Sequence, residues 1–336
     1  MQHQDDDVKV LFLAGKGRSG GTLLANLLGQ IPGFCNVGEL KRLWDSGLVH
    51  NHRCGCGVPV QECVTWSAIL DEADALLRGS PLAPLSAARV DLDRYAVVRW
   101  RNIARLLAAR TETRDRWDAL QRYTTAASAV YRSIAAVTGA RVVVDSSRMP
   151  IEPVALGLVP GVDVRVVHVV RDPRAVAYSW RRSRAWTDRD AGEHMPRWGV
   201  AHSAASWATR SVLVEMLGRR HASVTVNYDT LARDPARVLR AVVDVAGEPA
   251  TDLSFLTSGA ATLVPTHSVG GNPIRMISGE VAIRPDEEWR DGMSGRDQLV
   301  ATVFALPMLR HYGFPIRPTS RAVGRTPPSP QRSRAS

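Results

Sequence analysis

The sequence predicts an α/β fold: a parallel sheet flanked by helices, with a helical insertion. Three observations lead there. Residues 8–14 (VKVLFLA) and 164–170 (VRVVHVV) are near-continuous apolar runs, the pattern of strands buried on both faces. Each is followed by the punctuation of a helix start, a Gly-rich turn in the first case and Asp172-Pro173 in the second. Strands that alternate with helices pair in parallel through crossovers, and such sheets bind ligands at the carboxyl ends of their strands.

Along the chain, residues 8–14 give the first strand. Leu23, Leu24, Leu27, Leu28 and Ile31 then recur at helical spacing until Pro32-Gly33 ends the helix. Residues 34–37 form a short second strand. Residues 65–138 are the helical insertion, in which Trp117, Leu120, Ala127, Val130, Tyr131 and Ile134 step by three, four or multiples of these. Pro81 and Pro84 mark residues 79–92 as a loop inside it. Residues 141–145 (RVVVD) and 223–228 supply further strands, and Asp234-Pro235 repeats the helix start of Asp172-Pro173. His168, inside a strand, is expected to be a core histidine, and Arg174 a solvated first-turn residue.

The chain has 336 residues, 45% of them apolar and 23% charged, enough for one large core and wrong for collagen, coiled coil or wholesale disorder. A single domain is expected over residues 8–316. Residues 1–7, with Asp5, Asp6 and Asp7, and residues 317–336, rich in Pro and Ser, are expected to be disordered. The net charge is +10, and the last segment holds five Arg and no acid, so it carries half of the excess. Such a balance suits nucleic acid, an anionic surface or an acidic ligand. No apolar stretch reaches the length of a membrane span, and the start MQHQDDD is unlike a secretory signal, so a cytoplasmic protein is expected.

The first strand leads into residues 15–22 (GKGRSGGT) and directly into a helix. Gly15, Gly20 and Thr22 fit the phosphate-binding pattern G-x-x-x-x-G-K-[ST], a P-loop-like arrangement in which glycines turn backbone N–H groups toward an anion at a helix N-terminus. Gly21 stands where nucleoside triphosphatases have their Lys, which argues against ATP or GTP hydrolysis. Lys16 and Arg18 bring cationic charge earlier in the loop.

The stretch GRSGGTLL after an apolar strand resembles the 5′-phosphosulfate loop of the sulfotransferases that use 3′-phosphoadenosine 5′-phosphosulfate (PAPS), with Gly21 where the family has Thr. The resemblance implies that Gly17, Arg18, Ser19, Gly20, Gly21 and Thr22 cradle the 5′-phosphate. Residues 169–179 (VVRDPRAVAYS) resemble the family's 3′-phosphate motif, which implies that Arg171 and Ser179 hold the 3′-phosphate; a guanidinium at a strand end and a hydroxyl two turns into the next helix can converge on one anion. Residues 226–231 and Asp234-Pro235 look like the strand and helix that follow in this family, in a structural role. Residues 267–275 (HSVGGNPIR) look like the late loop of bacterial members, with Arg275 as a second 3′-phosphate contact. The resemblance spans about residues 8–316.

Sulfuryl transfer needs an in-line arrangement, a base for the acceptor and charge neutralisation on the leaving phosphate. Glu39, in Asn36-Val-Gly-Glu39, returns the chain to the carboxyl edge of the sheet, and family members that sulfate tyrosines and sugars have a G-E here with Glu as base. The alternatives for Glu39 are a solvated turn acid or an ion-pair partner of Lys41 or Arg42. Arg148, in Asp145-Ser-Ser-Arg148, stands where related sequences have Lys, and with Arg18 it is expected to stabilise transferring charge. Asp145 has the alternative of a Walker B acid, which would bring Mg²⁺.

Cys54, Cys56 and Cys63 are close in sequence, but C-x-C followed by x6-C is not a standard zinc spacing; free thiols are expected, with zinc the alternative. Trp44, Trp66 and Trp100 are expected in the core rather than at the acceptor. The expectation is thus a PAPS-dependent sulfotransferase needing no metal, with the nucleotide donor and a hydroxylated acceptor, a small metabolite or glycoside, as partners. No nucleic acid and no membrane span is expected. The rivals are a P-loop-type nucleotide-dependent kinase and a basic nucleic-acid-binding protein.

Overall fold

In the computed structural model, which describes residues 7–183, 185–186 and 193–317, β1 (Val8–Gly15) is the middle strand of five. The others are β2 (Phe34–Gly38), β3 (Val142–Arg148), β4 (Val162–Val170) and β5 (Ser223–Asn227). Their order is β2-β3-β1-β4-β5 and every pairing is parallel. The fold is therefore α/β, with a central parallel sheet flanked by helices.

The apolar runs follow from two covered faces. Val10, Phe12 and Ala14 of β1 enter one core, with the helices of the insertion; Leu11 and Leu13 enter the other, with Leu24, Leu27 and Leu28 of helix α1 (Gly21–Leu28). The insertion holds α2 (Val64–Leu76), α3 (Ala87–Val97), α4 (Ile103–Ala108) and the long α5 (Asp118–Thr138). The loop expected over residues 79–92 ends early: α3 begins at Ala87 and buries Val90, Asp93, Arg94 and Val97, a helical stripe that the preceding prolines disguised.

After β3 come α6 (Glu152–Leu156), then β4 and α7 (Pro173–Arg181), whose start is capped by the Asp172 carboxylate accepting from the Arg174 N–H. Helix α8 (Val200–Gly218) leads to β5, which gives way at Tyr228 to α9 (Tyr228–Arg233); α10 (Pro235–Val245) follows, capped by Asp234. A small antiparallel sheet, β6 (Leu256–Thr257), β7 (Ala260–Leu263) and β8 (Gly279–Ala282), precedes α11 (Trp289–Gly292) and α12 (Gly295–His311).

Arg174 is corrected: it is fully buried, not solvated. Its guanidinium pairs with Asp172 at 2.6 Å and donates to the carbonyls of Pro315 and Ile316, tying α7 to the chain after α12. His168 is a core histidine, beside Glu215 and the Tyr312 hydroxyl, and burial lowers its pKa. The proposed lead at residues 1–7 falls, but for Asp7, outside the described residues, as does all of the basic tail but Arg317.

Candidate active site

The carboxyl ends of β1 to β4 lie along one edge of the sheet, as parallel pairing requires. The loop after β1 turns tightly beneath α9. Gly20 has φ +95°, and a Cβ there would lie 2.3 Å from Tyr228 Cδ2, so only glycine closes this turn. Arg18 also has positive φ, +75°, and Arg148 at the end of β3 has +68°. A left-handed non-glycine residue costs about 1–3 kcal/mol and is maintained where its side chain is needed in one place. Both arginines are aimed into the same cleft.

On the loop side, Arg18, Gly20, Gly21, Thr22, Arg171 and Ser179 line a cavity of about 210 Å³, with Tyr228 on its wall. Arg171 lies just beyond β4, over the Tyr228 ring at 4.5 Å, and ion-pairs with Asp286 at 2.9 Å. Ser179 is buried on α7. Backbone N–H groups at the start of α1 together with a guanidinium fork suit a phosphate.

On the other side, Glu39, Lys16, Lys41, Trp180, Trp186 and Trp198 line a second cavity, of about 230 Å³. Glu39 follows β2, and its N–H donates to the Val269 carbonyl at 2.8 Å. The residue is 5% exposed, its carboxylate paired with the Arg148 guanidinium and 3.6 Å from Lys41 Nζ. Burial, then Arg18 and Arg210, lower the Arg148 pKa to about 10. Lys16 and Lys41 are each lowered to about 7, above all by burial; Arg210 and Arg148 press on Lys16 as well. Lys16 Nζ sits 3.7 Å from the Trp198 ring centroid and 3.0 Å from Ser206 Oγ.

Asp145 holds the two strand ends together. Its Oδ1 accepts from the N–H groups of Leu40 and Ser147 and from the Ser147 hydroxyl; its Oδ2 accepts from Tyr131 at 2.7 Å. Burial raises its pKa to about 6. With both oxygens engaged by protein donors, this carboxylate fixes Glu39 relative to Arg148 and is not arranged as a Walker B ligand.

Residues 11–252 match the family model described as the sulfotransferase family. The chain belongs to the sulfotransferase family. Similar solved structures include the sulfotransferase domain of the Synechococcus PCC 7002 olefin synthase, 18% identical with a TM-score of 0.47, covering 94% of this chain and 99% of that one. The sulfotransferase domain from the curacin biosynthetic pathway is 15% identical, TM-score 0.42, covering 89% and 98%. A Mycobacterium avium sulfotransferase is 16% identical, TM-score 0.38, covering 74% and 66%. The search of curated proteins finds no match. Among the described residues no helix is long and apolar enough to cross a membrane.

In this sulfotransferase, Arg18 and Arg148 line both cavities, Glu39 and Gly17 the second, and Gly20, Gly21, Thr22, Arg171 and Ser179 the first. Two expected residues stand on neither wall. Ser19 is a buried residue of the loop itself. Arg275 is buried with its guanidinium on the carbonyls of Arg53, at 2.6 Å, and Ser268, at 3.3 Å. Sequence reading missed Lys41, Asn272 and Arg284 as lining residues, and the stacked pair Trp180 and Trp198, 4.6 Å apart. Trp180 had a signal, lying one residue after Ser179 in a motif already singled out. Trp44 and Trp66 are core residues, whereas Trp100 is 46% exposed.

Proposed function

We propose that this member of the sulfotransferase family moves a sulfuryl group from PAPS to the hydroxyl of a small metabolite or glycoside, with Glu39 as general base. One observation carries the reading: the two cavities share Arg18, Arg148 and Asn272, with the phosphate loop on one side and a buried carboxylate on the other.

In this reading Arg18, Gly20, Gly21 and Thr22 hold the 5′-phosphosulfate, and Arg171 and Ser179 hold the 3′-phosphate, which displaces Asp286 from Arg171. Arg275 braces the late loop, since its guanidinium is spent on carbonyls. The acceptor lies in the second cavity, beside the stacked Trp180 and Trp198 that line it. Its hydroxyl proton passes to Glu39 as the oxygen attacks sulfur, and the bond from sulfur to the bridging phosphate oxygen breaks. The products are a sulfate ester, 3′-phosphoadenosine 5′-phosphate and one proton on Glu39. Arg18 and Arg148 neutralise charge on the leaving phosphate, so no metal is called on. Arg148 also holds the Glu39 carboxylate in an ion pair until the acceptor arrives.

The test is Glu39→Gln. Turnover falls about 10²- to 10⁴-fold, the worth of a positioned base, while 3′-phosphoadenosine 5′-phosphate still binds. Normal turnover in this variant removes Glu39 from the mechanism.

A further inference from the structure

Away from the cleft, three cysteines and one histidine meet. Cys54, Cys56 and Cys63 come from the segment before α2, and His267 from the late loop, 204 residues beyond Cys63. The four ligand atoms lie within 4.8 Å of one another. Cys63 Sγ is 3.2 Å from His267 Nδ1, Cys54 Sγ is 4.0 Å from the same nitrogen, and Cys56 Sγ is 3.8 Å from Cys63 Sγ. A tetrahedral zinc with ordinary bond lengths spaces its ligands at about 3.8 Å for S to S and about 3.6 Å for S to N.

The surroundings are built for such a set. The His267 Nε2 is 3.1 Å from the Thr65 hydroxyl, a partner that leaves Nδ1 as the ligand nitrogen. The His267 carbonyl accepts from the Trp66 indole at 2.8 Å. Cys54 lies in a tight turn, its N–H donating to the Val58 carbonyl and its own carbonyl accepting from Gly57. A Cβ on Gly55 would come within 2.4 Å of Ser268 Oγ and of the Thr266 carbonyl, so glycine alone lets the cysteine turn approach the histidine loop. Cys54 and Cys63 are buried.

We infer that Cys54, Cys56, Cys63 and His267 form a structural zinc site. Four protein ligands close the coordination sphere, so the ion is held, not offered to substrate. On binding, the three thiols release three protons and coordinate as thiolates, the imidazole enters neutral, and the centre carries one net negative charge. A Cys56–Cys63 disulfide is the competing chemistry; it needs the sulfurs at about 2.05 Å and leaves Cys54 and His267 without a role. The zinc clips the late loop to the segment before α2. Arg275 stitches the same two pieces, through carbonyls of residues next to Cys54 and His267. The clipped loop continues into Val269, whose carbonyl receives the Glu39 N–H, and into Asn272, shared by both cavities.

The test is elemental analysis of the purified full chain after equilibration with zinc and desalting. About one zinc per chain is expected. Cobalt in its place gives the sulfur-to-metal charge-transfer and intense visible bands of a tetrahedral thiolate site. Cys63→Ser lowers bound zinc at least about tenfold, Thr65→Val weakens zinc affinity about tenfold, and Cys35→Ser, outside the cluster, leaves the content unchanged. Wild-type protein that retains no zinc, or that shows a Cys56–Cys63 disulfide when mapped without reduction, overturns the inference even if every variant fails to fold.

Discussion

At the residue scale, the cleft concentrates cations whose acidity its own burial has raised. Lys16 and Lys41, both lowered to about 7, sit on the Glu39 side with Arg148 between them and the loop-side cavity. An anion arriving at Arg148 favours the charged form of Lys16, so its pKa rises on binding. At about pH 8 the free amine is mostly neutral, and binding of 3′-phosphoadenosine 5′-phosphate therefore takes up protons. Affinity falls as pH climbs from about 7 to about 9, the range over which the amine must be recharged. Calorimetry in buffers of different ionisation enthalpy reads the uptake directly; a heat independent of buffer contradicts it. That Arg18, Arg148, Glu39 and Arg171 stand at one cleft was legible from the motifs, since each lies at or just past a strand end in a parallel sheet. The lining role of Lys41, and of Trp198 across the cleft, was not, since it depends on how loops fold back over the strand ends.

At the element scale, Asp145 decides the spacing of β2 and β3 at their carboxyl ends. Three donors on Oδ1 and one on Oδ2 make it a positioning residue for Glu39 and Arg148. In Asp145→Ala the two hydroxyls can rotate to other acceptors, but the Leu40 and Ser147 N–H groups stay buried and unmet, at about 1–3 kcal/mol each. The expected outcome is a loss of about 2–4 kcal/mol in urea unfolding together with lost turnover that added Mg²⁺ does not restore. Unchanged stability with turnover rescued by Mg²⁺ would make Asp145 a metal ligand. The five strands of the parallel sheet were readable, β1 and β4 because two-sided burial leaves an uninterrupted apolar run, whereas the short strands β6 to β8 were not. Helix α3 was not, because Pro81 and Pro84 sit just before it and drew the expected loop too far. Arg174 was misread for a related reason: a first-turn arginine is ordinarily solvated, and its burial depends on carbonyls 141 and 142 residues away.

At the scale of the whole molecule, the +10 charge divides into a tail carrying five arginines and a +5 remainder that includes the arginines of the cleft. Two cavities joined at Arg18 and Arg148 gather part of that remainder into one cleft. The zinc clip and Asp145 act on the same structure from opposite sides: one fixes the late loop that supports Glu39, the other fixes the strand ends that carry Glu39 and Arg148. Membership of the sulfotransferase family was legible from two phosphate motifs, while His267 joining three cysteines was invisible at a separation of 204 residues. Transfer from PAPS across the shared wall is open to direct measurement by mass spectrometry of hydroxylated acceptors incubated with the protein and PAPS, without added divalent metal. The expected product is an acceptor heavier by about 80 Da, one SO₃ unit, formed in step with 3′-phosphoadenosine 5′-phosphate and nearly absent with Glu39→Gln. Unmodified acceptors across a broad panel, with no binding of 3′-phosphoadenosine 5′-phosphate, would contradict it.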